Sequence, residues 1–83
     1  MESKVGEHFG RALVQIRNNL GISQYRLAKL SGLSEGYLNK LENGKREPRA
    51  EMIIRLGRAL GIAPGDLINE TDRLMREGSS SST

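Results

Sequence analysis

The sequence predicts an all-α fold, a compact bundle of five short helices, and three observations carry that expectation. Apolar residues recur at helical spacing in successive segments. Three of those segments stop at a glycine, Gly21, Gly32 or Gly61, the residue type best able to take the left-handed conformation that ends a helix. Only two prolines occur in 83 residues, and Pro48 and Pro64 both lie between stripes. A chain of this length holds one small core. It has no cysteine, so neither a disulfide framework nor a thiolate metal site supports it, and packing must suffice. No apolar run approaches the ~20 residues of a membrane span. The start, MESKVGEHFG, carries no hydrophobic signal core, so no membrane partner is expected and a cytoplasmic location is.

After a polar lead-in, the first helix is expected from about Glu7 to Leu20, with Phe9, Leu13, Ile16 and Leu20 on one face. His8, the single histidine, is expected to be a solvated surface residue. Ser23 can cap a second helix, in which Leu27, Ala28 and Ser31 recur at helical spacing before Gly32. Leu33 follows, and Ser34 offers another cap for a third helix reaching Asn43. That helix carries Leu38 and Leu41 on one face, and Glu35, Gly36, Asn39, Lys40 and Asn43 on another. Ala28 is the small residue at the expected crossing. Two short helices joined by so tight a glycine turn form a helix-turn-helix.

The loop GKREPR is basic, and Pro48 keeps Glu47 extended ahead of a fourth helix from about Ala50 to Leu60. There Ile53, Leu56 and Leu60 face the core, and Gly57 allows close approach. Pro64 suits the first turn of a fifth helix, whose stripe is Leu67, Ile68, Thr71, Leu74 and Met75. So small a domain cannot easily bury that stripe alone. Leu67, Thr71, Leu74 and Met75 are therefore expected at a dimer interface, with a cap over the domain's own core as the alternative. Residues 1–76 are read as one domain and residues 77–83 as a flexible Ser-rich tail.

ISQYRLAKLSGLSEGYLNKLENGKREP resembles the DNA-binding domain of phage lambda-repressor/Cro-type (Xre-family) transcriptional regulators. The shared pattern is Ile22-Ser23-Gln24, Leu27-Ala28, Gly32-Leu33-Ser34, Leu38, Leu41, Glu42-Asn43-Gly44 and Pro48. It continues through Ala59-Leu60-Gly61-Ile62 and Asp66-Leu67, so it spans roughly Phe9 to Ile68. The resemblance implies an ion pair between Arg17 and Glu42, where Arg17 by itself reads as one more basic surface residue. It also implies that the third helix enters a major groove. Glu35, Gly36, Asn39 and Lys40 then face bases. Ser23, Gln24, Ser34, Tyr37, Asn43, Lys45, Arg46 and Arg49 become candidates for phosphate. Gly36 replaces a side chain that often reads a base, and Tyr37 is as readily half-buried as phosphate-bound. The chain departs from the family at Arg49 and Ala50, where a small hydroxyl cap and a larger apolar residue are usual. Either the fourth helix frays, or its N–H groups stay open to a phosphate.

Charge agrees with such a partner. Between Arg11 and Arg58, ten Lys/Arg face four Glu, a balance of +6, while the other residues sum to −3. Catalysis has little support. No His/Cys metal cluster exists, one histidine cannot supply an acid–base set, and Gly44-Lys45 lacks the rest of a phosphate loop. No catalytic residue, metal or cofactor is expected. The leading expectation is a repressor that binds an approximately palindromic double-stranded DNA operator as a homodimer. The alternative from another class is an antitoxin-like or adaptor module that holds a protein on its C-terminal apolar face.

Overall fold

In a computed structural model, which describes residues 4–80, five helices follow one another as expected: α1 Val5–Asn19, α2 Gln24–Ser31, α3 Glu35–Glu42, α4 Ala50–Leu60 and α5 Pro64–Ser80. No strand occurs among the described residues. The serine caps form as the sequence suggests. Ser23 Oγ accepts from the Arg26 N–H at 3.0 Å, and Ser34 Oγ from the Tyr37 N–H at 3.1 Å. Helix ends share one device. The N–H groups of Ile22, Leu33, Lys45 and Ile62 reach back to the carbonyls of Arg17, Ala28, Lys40 and Gly57. Gly21, Gly32, Gly44 and Gly61 take the positive φ that this closure requires. Three of those glycines are legible as stops; Gly44 is the fourth.

The core is Phe9, Leu13, Leu27, Ala28, Leu38, Leu41, Leu56, Leu60 and Leu67, drawn from all five helices. Leu20 does not join it. It is the C-cap of α1, one residue past the helix, and is 47% exposed. Ser31 is buried, as its place in the α2 stripe requires, and its hydroxyl donates to the Leu27 carbonyl at 2.7 Å.

α5 corrects the expected dimer interface. Leu67, Thr71 and Leu74 are 0%, 5% and 3% exposed within a single chain, and Met75 is half-buried. The domain buries this stripe itself, because α5 lies along α1 as well as α4. Thr71 needs no partner protein, since its hydroxyl donates to the Leu67 carbonyl at 2.7 Å. The adaptor alternative rested on the same stripe, of which Ile68 and Met75 stay at the surface. α5 also runs to Ser80, four residues into the expected tail of residues 77–83; residues 81–83 lie outside the described residues. Arg73 bridges Glu70 and Glu77, and Arg76 pairs with Asp72 at 3.2 Å along the exposed side. The hydrogen bond from Arg73 holds the Glu70 carboxyl below its ordinary range.

His8 is a second correction. It is 9% exposed, because α5 covers that side of α1; a Cβ added at Gly78 would sit 3.8 Å from His8 Cε1. Gly10 governs how closely α1 meets α3. A Cβ there would lie 2.5 Å from the Leu41 carbonyl oxygen and 2.7 Å from that of Glu42. Both are backbone atoms that cannot rotate away. Gly10→Ala is therefore expected to destabilise by ~1–3 kcal/mol, read as a lower urea midpoint at unchanged slope. Gly57 plays the part expected of it, since a Cβ there would lie 2.8 Å from Pro64 Cα.

Candidate nucleic-acid interface

α3 turns Leu38 and Leu41 inward, which leaves Glu35, Gly36, Asn39 and Lys40 exposed together. Nothing in the domain requires a glycine at position 36, because a Cβ added there meets no atom within 4 Å. Gly36 thus marks a bare spot on the outward face, with Lys40 one turn further on.

The helix is held at its far end by the expected ion pair. Arg17 Nε and Nη2 donate to the two Glu42 carboxylate oxygens at 2.7 and 3.0 Å, and Nη1 donates to the Ile22 carbonyl at 2.9 Å. Side-chain exposure is 13% for Arg17 and 5% for Glu42, so the surface alternative for Arg17 is excluded. Gln24 Nε2 also donates to Glu42 Oε1, at 3.0 Å. One carboxylate thereby ties α1, α2 and α3 together. Gln24 still has a second amide hydrogen to offer a phosphate.

The other phosphate candidates divide by what they have left to donate. The hydroxyls of Ser23 and Ser34 accept at the helix caps and keep their own hydrogens free to donate. Lys45, Arg46 and Arg49 are exposed, and none pairs with a described carboxylate. Arg49 is the N-cap of α4 and makes no side-chain cap bond, so the departure read in the sequence has its structural counterpart. Tyr37 is half-buried against the core cluster. Asn43 is exposed, and its Nδ2 donates to the Asn39 carbonyl at 2.8 Å with Asn39 Oδ1 at 3.2 Å.

Lys4 was not anticipated. With Lys45, Arg46, Glu7 and Glu47 it lines a polar cleft of about 280 Å³ where the basic loop meets the start of α1. Gly6 and Gly44 make that meeting possible, since a Cβ at either would come within 3.3 Å of backbone across the junction. No local pattern announces a contact between residues so far apart in sequence.

Residues 13–67 match the helix-turn-helix family model. The chain belongs to the Xre/lambda-repressor-like helix-turn-helix family of transcriptional regulators. That family consists of DNA-binding regulators, not enzymes. An uncharacterised HTH-type transcriptional regulator, y4dJ of Sinorhizobium fredii, is 35% identical over 87% of this chain and 88% of its own. Control protein C.BamHI of Bacillus amyloliquefaciens is 34% identical over 76% of this chain and 79% of its own. Among solved structures, the clp gene regulator ClgR from Corynebacterium glutamicum superposes with a TM-score of 0.90 at 30% identity, covering 99% of this chain and 87% of that one. The restriction-modification controller protein C.AhdI from Aeromonas hydrophila superposes with a TM-score of 0.73 at 36% identity, covering 80% and 98%. None of the described helices is long and apolar enough to cross a membrane.

Proposed function

We propose that this regulator is a cytoplasmic repressor that binds double-stranded DNA sequence-specifically as a homodimer, with α3 in the major groove. One observation carries the reading: the exposed face of α3 is flanked by cations that no described carboxylate neutralises, while the buried Glu42 carboxylate anchors that helix. Glu35, Asn39 and Lys40 face base edges, and Gly36 leaves a gap between them. Ser23, Gln24, Ser34, Lys45, Arg46 and Arg49 fix position on phosphates without reading sequence. Repression needs nothing beyond occupancy of a promoter.

The stripe first expected at the dimer interface is core, and this reading takes an exposed apolar surface beside it for pairing. Ile68 and Val5 are 52% and 38% exposed, and with Phe9, Pro48, Ile53 and Met75 they line an apolar groove of about 350 Å³. In this reading a second copy sits there around a two-fold axis, and two half-sites one turn of DNA apart require recognition helices about 34 Å apart.

Binding of each variant to an operator and its single-base mismatches tests the reading. With about four to six phosphate contacts per subunit, log affinity should fall with log salt by roughly 0.9 per neutralised phosphate. Lys40→Ala should cost ~1–3 kcal/mol on the preferred operator and relax choice at one base. Lys45→Ala should weaken every sequence alike and reduce the salt slope by about one. A salt-independent affinity, or equal losses for Lys40→Ala on all sequences, would contradict it.

A further inference from the structure

The exposed face of α3 carries a single carboxylate. Of the two acids in this helix, Glu42 is buried against Arg17, whereas Glu35 is exposed and forms no ion pair with any described residue. Lys29 lines the same shallow cleft between α2 and α3, yet its ammonium lies over the Tyr25 ring, 5.2 Å from the centroid. Lys40 is five positions further along the helix, outside the three- or four-residue spacing that brings side chains together. Nor does Glu35 close a capping box, since that motif uses the third helical position and Tyr37 holds it. Within the domain its charge serves only the positive end of the α3 dipole, a small contribution at an exposed site.

On a surface that meets DNA this placement is costly. The loop cations Lys45, Arg46 and Arg49 attract any duplex, whatever its sequence. An ionised carboxylate among the base-facing residues opposes that attraction on every sequence, and it can only accept hydrogen bonds, however it is rotated. Guanine and thymine offer it only acceptors in the major groove. Adenine offers an amino group with N7 beside it, whereas the edge of cytosine presents its amino group alone. Resting on the DNA-binding reading above, we propose that Glu35 is a specificity-determining residue that works by rejection: it lowers affinity for duplexes at large and recovers the loss only where a cytosine N4 amino group meets it. The basic loop supplies hold on any duplex, and Glu35 withholds it from the wrong site.

The test compares the whole chain as wild type, Glu35→Gln and Glu35→Ala, each first shown by circular dichroism to be folded, as the exposure of Glu35 leads one to expect. Glu35→Gln keeps the shape and removes the charge. It should bind a duplex lacking the selected sequence about fivefold more tightly at low salt, a gain that shrinks as salt is added. Its preference for the selected site over that unrelated duplex should fall about tenfold. In selection from random duplexes at one fixed salt concentration, the position that loses its preference in Glu35→Ala identifies the base pair that Glu35 meets. There the wild type should favour a C·G pair. Glu35→Gln should move the choice to A·T, because a glutamine amide accepts from adenine N6 while donating to N7. Unchanged affinity of both variants for the unrelated duplex, an A·T pair at the wild-type position, or a Glu35→Ala profile identical to wild type would each overturn the inference while leaving reading by Lys40 intact. No enriched sequence for the wild type would instead overturn the sequence-specific function itself.

Discussion

Leu74→Glu is expected to unfold the domain. Leu74 is 3% exposed on the inner face of α5. Its replacement forfeits roughly 1.5–3 kcal/mol of apolar burial and leaves a carboxylate with no partner in an apolar setting, a further cost of several kcal/mol. A small domain is stable by only about 5–15 kcal/mol, so the sum removes most of it. Circular dichroism at 25 °C should show helix loss, whatever the protein concentration. A variant that stayed folded but ceased to associate would restore the dimer reading of this stripe. Met75 lies half-buried at the apolar groove, so Met75→Glu is the variant expected to weaken association while leaving the fold in place.

Breaking the Arg17–Glu42 pair should have the next largest effect. Arg17→Ala removes two donors from a carboxylate that is 5% exposed and leaves it with Gln24 alone. Leaving one member of a buried pair behind costs ~3 kcal/mol or more. Glu42→Ala strands the guanidinium, although its bond to the Ile22 carbonyl survives. Removing both should cost less than the two single losses added together, read by urea unfolding at one pH. Small, additive losses would mean that the pair orders α3 without stabilising it. The pair also bears on recognition, since Gln24 is steered by the same carboxylate that Arg17 holds.

Most of the architecture was legible because the chain punctuates itself with local chemistry. Ser23 and Ser34 cap helices through their own third neighbours, and Gly21, Gly32 and Gly61 close them, so each signal needs only a few residues to be read. The Arg17–Glu42 bond crosses 25 positions and was reachable only through the family pattern. What escaped depends on docking between distant segments. Whether α5 covers α1 decides if Leu67, Thr71 and Leu74 are core or surface, and periodicity looks the same either way. His8 was read as solvated for the same reason, and Gly10 gave no local hint of its approach to Leu41 and Glu42. At the interface, the residue types on α3 were legible but the use of their hydrogen-bonding groups was not. Asn43 has the composition of a phosphate ligand, and only its geometry shows that its amide nitrogen also meets Asn39.

Whether α3 reads a duplex as one half of a symmetric pair is decided by selecting bound duplexes from a random pool at a stated salt concentration. The selected site should be an approximate palindrome whose half-site centres lie about 10 base pairs apart, with the positions in each half weakened one by one by changes at Lys40, Asn39 and Glu35. A pool that stays random through successive rounds, or an enriched site whose preferences are untouched by changes on α3, would contradict it.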